Sequence, residues 1–128
     1  MAEKGQEYVN QMFKERGYIL DFHRVLAAED LDFLKAYNEM VAASYTDRRS
    51  LDPKTKELIY CVMLTCVRAS VDQIKLHVQG ALKHGATKTE VLQALELCIT
   101  AAGVPAFMIG FEGWKQVVGP SKFDPEGS

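Results

Sequence analysis

The segment that decides the fold is LDPKTKELIYCVMLTCVRASVDQIKLH, which runs from Leu51 to His77. It opens with a helix start, because Asp52 can cap free backbone N–H groups and Pro53 fits the first helical position. The nearly unbroken apolar run at 58–67 then predicts a helix that lies in the middle of a bundle or against a partner subunit.

A second helix is predicted from Ser70 to His84, with Gly85 supplying the left-handed residue that commonly follows a helix end. Ser70, Gln73 and His77 share one face of this helix, at spacings of three and four. Taken alone, Ser70-x-x-Gln73 is a capping box, in which the serine accepts a backbone hydrogen bond and the glutamine reaches back. The pattern favours a structural role for Ser70, and it leaves open that Gln73 orients a substrate carbonyl.

Toward the N-terminus, apolar residues at spacings of three and four predict helices at 7–16 and 28–45. The residues between them, 18–28, fit either a helical turn or an extended linker. The loop residue Arg48 fits a solvated position, and it is also a candidate for binding a substrate carboxylate.

Toward the C-terminus, a capping box at Thr87 and Glu90 predicts a helix that continues to Ala102. A last helix is predicted from Pro105 to about Val118. No alternating strand pattern is present, so the predicted fold class is all-α: a compact bundle of about six helices with a central antiparallel helical hairpin. The helices form a single domain over residues 1–120, and residues 121–128 form a polar tail that is expected to be disordered.

Composition narrows the classes of function. The chain has 128 residues and a net charge of -2, so it lacks the basic excess of nucleic-acid-binding proteins. Its longest apolar run is about half of the ~20 residues that cross a bilayer. The charged N-terminus does not look like a secretory signal. We therefore expect no nucleic-acid partner, no membrane partner and a cytoplasmic location.

Three cysteines, Cys61, Cys66 and Cys98, fall in apolar helical segments and form no C-x-x-C motif. They are predicted to be buried free thiols that behave as small apolar side chains. His77 and His84 lie two turns apart, without a spacing typical of metal ligands. The sequence therefore predicts neither a metal site nor a cofactor.

Three segments carry a family resemblance: LDPKTKELI from Leu51, HVQGALKHGATKTEVLQAL from His77, and AAGVPA from Ala101. Together they resemble the carboxymuconolactone decarboxylase family, which also contains the alkylhydroperoxidase-D-like proteins. The resemblance covers residues 51–118. It implies a small all-α protein that assembles as a homo-oligomer, a trimer or hexamer, with a pocket for a small-molecule substrate near the subunit contacts.

The resemblance also suggests which chemistry is retained. The peroxidase branch carries a C-x-x-C at the positions of Ser70 and Gln73, so thiol peroxidase activity is not expected here. The decarboxylase branch lacks those cysteines and keeps the histidine, which is His77. The implied function is a cofactor-independent lyase acting on a small organic acid or lactone. His77 is the general acid/base, Glu57 its partner, and Ser70, Gln73 and Arg48 bind substrate.

The alternative is a non-catalytic oligomer on the same scaffold, with a small-molecule-binding or structural role. One departure from the family bears on the choice, since Glu57 and His77 are one residue further apart than in the usual pattern. An extra residue in the loop near Arg68 and Ala69 would leave both side chains in place. An extra residue inside a helix would instead rotate Glu57 by about 100°.

Overall fold

The computed structural model describes residues 2–45 and 49–127. This part of the chain contains no strand, and the predicted all-α fold class is confirmed. It forms seven helices rather than about six: α1 Ala2–Arg16, α2 Asp21–Glu29, α3 Leu31–Tyr45, α4 Pro53–Cys66, α5 Val71–Lys83, α6 Lys88–Glu96 and α7 Cys98–Val118.

The chain divides into two compact units, Met1–Thr46 and Asp47–Ser128. The first unit contains α1 to α3, and the second contains α4 to α7. Each unit has a hydrophobic core of its own. The expectation of a single domain over residues 1–120 stays a prediction.

In the first unit, the core is made by Met12, Ala27 and Leu34. Residues 18–28 are not a linker, because most of them belong to α2. The third helix begins at Leu31 rather than at residue 28. The reason is Asp30, whose backbone leaves the helical region (φ -155°, ψ 72°) and whose carboxylate accepts a 3.3 Å hydrogen bond from the N–H of Phe33.

The first helix begins at Ala2, five residues before the predicted start at residue 7. Its opening turns are polar and carry no apolar period, so the periodic pattern did not include them. Glu3 favours the helix start electrostatically, and Gln6 donates a 3.0 Å hydrogen bond to Asn10 one turn later.

A buried histidine closes the start of α2. His23 Nδ1 accepts a 3.1 Å hydrogen bond from the N–H of Leu20, while the N–H of His23 donates to the Leu20 carbonyl at 3.1 Å. Burial, and secondarily the charge of Arg16, lower the pKa of His23 below the ordinary value of 6.5. The neutral imidazole of His23 therefore acts as a capping side chain for α2.

In the second unit, α4 and α5 run antiparallel, since Glu57 near the start of α4 meets Gly80 near the end of α5. The hairpin suggested by the sequence is the next pair of helices, which open at Ser70 and Thr87, and it stays a prediction. The predicted start of α4 is confirmed. Asp52 Oδ1 accepts a 2.8 Å hydrogen bond from the N–H of Thr55, and Pro53 occupies the first turn. The left-handed residue after α5 is Gly85 (φ 99°), as predicted.

The start of α6 is a complete capping box, as predicted. The N–H of Thr87 donates to Glu90 Oε1 at 2.9 Å, and the N–H of Glu90 donates to Thr87 Oγ1 at 3.0 Å. The predicted end at Ala102 is wrong, because α6 ends at Glu96 and α7 begins at Cys98. No glycine or proline stands at this break and Leu97 keeps near-helical dihedral angles, so the apolar pattern runs through it unbroken. The axes of α6 and α7 differ in direction by 107°. The non-helical dihedral angles inside α7 lie at Gly103, directly after the predicted end.

The last helix is interrupted at Gly103, whose backbone (φ 84°, ψ 168°) is open only to glycine. The predicted helix from Pro105 to about Val118 forms the longer part of α7, and Gly119 (φ 54°) ends it. Taken singly, none of the helices in the described residues is long and apolar enough to cross a membrane. Only α6 and α7 counted together across their bend meet that criterion, by length and composition.

The core of the second unit brings all four of its helices together around side chains that are fully or nearly fully buried. Its members are Cys61, Ile74, Val78, Ala81, Ala86, Val91, Leu95 and Trp114. The Trp114 indole N–H donates a 2.8 Å hydrogen bond to the carbonyl of Lys88, which ties α7 to the start of α6. This core fixes α4 against α5, the two helices that carry Glu57 and His77.

Close packing of α7 on α4 depends on Gly110. A Cβ atom there would lie 2.7 Å from Thr65 Cγ2 and 3.1 Å from Leu95 Cδ2, and closer still to Thr65 Oγ1. The Thr65 hydroxyl is buried and has no hydrogen-bond partner among the described residues. The absence of a side chain at Gly110 is therefore what allows the two helices to approach.

We predict that Gly110→Ala lowers the free energy of unfolding by about 1 kcal/mol, because overpacking costs of ~1–3 kcal/mol exceed the helix-propensity gain of ~1 kcal/mol. Chemical denaturation measures the change. Thr65→Ala is the matched background, since it removes both threonine atoms that the new methyl group would meet. In that background Gly110→Ala should be neutral or stabilising, and an equal loss in both backgrounds would contradict the packing argument.

Candidate acid-base site

The predicted pair Glu57 and His77 is in direct contact. Glu57 Oε2 lies 2.7 Å from His77 Nδ1, and the two side chains are only 12% and 19% exposed. A charge-assisted hydrogen bond of this length, largely shielded from water, is stronger than a bond between neutral groups at the surface. The contact joins the first half of α4 to the middle of α5, and it lies wholly within the second unit.

The carboxylate sets the protonation pattern of the imidazole. A carboxylate can only accept a hydrogen bond, so Nδ1 must carry the proton that points at Glu57. In the neutral ring, Nε2 then holds a lone pair and can accept a proton. No described residue makes a hydrogen bond to Nε2, since Glu57 is the hydrogen-bond partner found for His77. The geometry leaves Nε2 as the nitrogen available for proton transfer.

A third residue of the site is Tyr60, which the sequence analysis missed. Its ring stacks on the imidazole of His77, with the ring centroids 4.8 Å apart and the planes inclined by only 12°. Tyr60 lies one turn after Glu57 on α4, so the two side chains reach the histidine from neighbouring positions of one helix face. The spacing of three residues between a carboxylate and an aromatic ring was the available signal.

Gly80 makes room for the carboxylate. It lies three residues after His77 on α5, and a Cβ atom there would be 2.8 Å from Glu57 Oε2 and 2.9 Å from Glu57 Cδ. Any side chain at this position would compete with Glu57 for the space beside the imidazole. The small residue is therefore part of what permits the pair.

The question raised by the unusual spacing of Glu57 and His77 is answered by the connection between the helices. The two side chains meet in spite of the extra residue. Arg68 adopts a left-handed conformation (φ 57°) between α4 and α5, and the N–H of Ala69 donates to the Leu64 carbonyl at 2.9 Å. The loop alternative agrees with this geometry, because neither helix is rotated away from the contact.

Ser70 is the cap of α5. Its Oγ accepts a 3.2 Å hydrogen bond from the N–H of Gln73, and its hydroxyl donates to Gln73 Oε1 at 3.3 Å. The second half of the expected capping box is absent, since Gln73 bonds the serine hydroxyl rather than the backbone N–H of Ser70. Both residues are exposed, and Gln73 lies one turn before His77. Arg48 lies outside the described residues.

The three cysteines are free thiols, as predicted; Cys61 and Cys98 are buried, whereas Cys66 is only partly covered. Burial, and secondarily the charge of Glu57 one turn earlier, raise the pKa of Cys61 to about 12. This thiol therefore stays protonated beside the site. Within the described residues, no group of three or more His, Cys, Asp or Glu side chains is placed to hold a metal ion.

The fold and the site together define an all-α protein with a carboxylate–imidazole pair on a helical hairpin. The model of the carboxymuconolactone decarboxylase family matches residues 32–115, which is well over half of the chain. The chain belongs to the carboxymuconolactone decarboxylase family. No curated protein matches it closely enough to add a named relative.

We predict that Gly80→Ala breaks the Glu57–His77 hydrogen bond while the fold is kept, because the new methyl group takes the place of the carboxylate and alanine favours the helix. Nitrogen-15 NMR of the His77 ring measures the result. The wild type should show the tautomer with the proton on Nδ1, and the variant a mixture of both tautomers.

Gln79→Ala is the matched control, because Gln79 is the exposed neighbour of Gly80 on α5. It should leave the ring signals of His77 unchanged. A wild-type ring spectrum in Gly80→Ala would mean that the glycine is not what positions the carboxylate.

Proposed function

We propose that the protein is a cofactor-independent lyase that decarboxylates a small organic acid or carboxylated lactone by proton transfer through His77. The observation that carries the proposal is the 2.7 Å contact between Glu57 Oε2 and His77 Nδ1, with no hydrogen bond from the described residues to Nε2. Family membership supports this class of chemistry, since the family takes its name from a decarboxylase.

The proposed step begins with an imidazolium that carries a proton on Nε2. Loss of carbon dioxide leaves an electron pair on the substrate carbon, delocalised as an enolate. Nε2 delivers its proton to that carbon, and the imidazole returns to the neutral form with its Nδ1 proton still directed at Glu57. The carboxylate holds the Nδ1 proton throughout the transfer, and the stack on Tyr60 holds the ring plane.

A substrate carboxylate would need donors near the histidine. Within the side-chain amide of Gln73, the carbonyl oxygen accepts a hydrogen bond from the Ser70 hydroxyl. No described residue accepts a hydrogen bond from the amide N–H groups. These donors, one helical turn before His77, suit an anionic group of the substrate. We propose that Ser70 holds Gln73 in this orientation and that Arg48 adds a positive charge to the same carboxylate.

The test is release of carbon dioxide from a panel of small carboxylated lactones and acids that includes carboxymuconolactone. We expect His77→Ala to lower kcat by about 10²–10⁴-fold, the usual contribution of a general acid/base. Glu57→Gln should cause a smaller loss, because it keeps the shape of the side chain and removes its charge. His84→Ala is the matched control, since His84 is exposed at the end of α5, and should retain the wild-type rate.

Full turnover by His77→Ala on a confirmed substrate would contradict the proposal. Thermal-shift screening distinguishes a lyase from the alternative, a small-molecule-binding protein without catalytic activity. If the wild type binds members of the panel without converting them, and His77→Ala loses that binding, the protein is a small-molecule-binding member of the family rather than a lyase.

We further propose that the protein assembles as a homo-oligomer, a trimer or hexamer, through the outer face of α4. Ile59, Met63 and Val67 recur there at spacings of four and are 39%, 45% and 73% exposed. Such a stripe of apolar side chains on one helix is typical of a surface that another subunit covers. A net charge of only -2 puts little repulsion between copies.

Light scattering after size-exclusion chromatography measures the mass of the assembly. We expect Met63→Lys to shift it toward the monomer, because a charge in a buried apolar contact is costly. Met40→Lys, at an exposed methionine of α3, is the matched control. A wild-type monomer, or a Met63→Lys variant of unchanged mass, would contradict this interface.

A further inference from the structure

A fully buried histidine lies in the first unit, and it has no part in the site on α4 and α5. His23 is 0% exposed, and its ring contacts the rings of Phe22 and Tyr37, with centroids 4.2 Å and 6.0 Å away. The two other histidines of the chain differ from it, since His77 is bonded to a carboxylate and His84 is exposed. A positive charge on His23 would therefore lie in an apolar setting, away from water.

The hydrogen bonds of His23 determine where its proton lies. Nδ1 accepts the 3.1 Å hydrogen bond from the N–H of Leu20, so the neutral ring holds its proton on Nε2. Nε2 is buried and has no hydrogen-bond partner among the described residues. A second proton can bind only at Nδ1, where it would point at the N–H of Leu20. Protonation therefore sets two donors against each other and ends the hydrogen bond that caps α2.

The charged groups around His23 also oppose a cationic ring. Burial lowers the pKa of His23, and the charge of Arg16, the last residue of α1, lowers it further. From α3, Tyr37 presents its aromatic ring. The neighbouring charged residues on α2, Asp21 and Arg24, are exposed and pair with each other at 3.8 Å. No carboxylate of the described residues forms an ion pair with His23, so its surroundings offer no counter-charge to a protonated imidazole.

We propose that His23 is an acid-sensitive switch that opens the first unit when Nδ1 takes up a proton. The added proton removes the acceptor of the Leu20 N–H, so α2 loses the cap at its start and the ring leaves the core for water. The core of the first unit then opens as well, since Ala27 of α2 packs there with Met12 and Leu34. The switch does not depend on the proposed lyase function, and the second unit, which has a core of its own, keeps its fold.

The direction of the effect follows from the linkage of protonation to folding. A histidine whose pKa is lower in the folded unit than its unfolded value of ~6.5 stabilises the closed form above that pH. This contribution is lost as the pH falls from ~6.5 toward the pKa of the folded form, because the open form binds a proton that the closed form excludes. Over that range the opening equilibrium of the first unit should rise by up to about tenfold per pH unit.

The experiment measures amide hydrogen exchange by mass spectrometry on the full chain, from about pH 7.5 to about pH 5.5, with each rate divided by its intrinsic chemical rate. We expect the protection of α2 and α3 to fall several-fold, and by at most about tenfold, across this range. Peptides of α7 should keep their protection. The single tryptophan, Trp114, lies in the core of the second unit, so its fluorescence should stay constant over the same range.

His23→Gln tests the ring nitrogen itself. Glutamine at the third position of a helix can accept the backbone N–H that precedes the helix, as in a capping box, and it has no titratable group. We expect α2 of this variant to keep the same protection at every pH in the range. His84→Gln is the matched control, since it makes the same substitution at an exposed histidine, and it should show the full pH dependence of the wild type.

NMR of the His23 ring gives an independent readout in the wild type. The ring should carry its proton on Nε2 at neutral pH, and it should still be neutral at a pH at which α2 has already lost protection. A ring that titrates at ~6.5 or above, a proton on Nδ1 at neutral pH, or protection of α2 that does not change with pH would overturn the proposal. A pH dependence that persists in His23→Gln would overturn it as well. If that variant fails to fold, the ring titration and the exchange of the wild type decide the question.

Discussion

The hydrogen bond between Glu57 and His77 is the interaction on which the rest of this site depends. It requires that α4 and α5 run antiparallel and that position 80 carry no side chain. A mostly buried carboxylate is stabilised only by a partner of this kind, because an isolated buried charge is expensive. The hydrogen bond therefore fixes the orientation and the tautomer of the His77 ring, and it leaves Nε2 as the nitrogen for proton transfer.

Much of the helical framework of the second unit could be predicted from the sequence, because its signals are local. Asp52 with Pro53, Ser70, the box at Thr87 and Glu90, and Gly85 each act on the backbone within one turn, and each lies where it was expected. The Glu57–His77 pairing came from the family motif, and the structure supplies the contact. The local sequence signals and the family motif together predicted two residues of the site, Glu57 and His77.

What could not be predicted depends on packing or on unmarked backbone. The end of α6 at Glu96 is one example, because Leu97 keeps near-helical dihedral angles and no glycine or proline stands there, so no pattern of residues shows it. The stack of Tyr60 on His77 is another, because it is a tertiary contact between two helices. The start of α1 was not predicted for a simpler reason, because apolar periodicity cannot detect a helix whose first turns are polar.

The most direct measurement of the central claim is a double-mutant cycle on the free energy of unfolding, with Glu57→Gln, His77→Gln and the double variant. Residues in direct contact are coupled by about 0.5–3 kcal/mol, and a mostly buried pair 2.7 Å apart should fall in that range. Additive single effects, with a coupling energy near zero, would mean that Glu57 and His77 do not act as a pair.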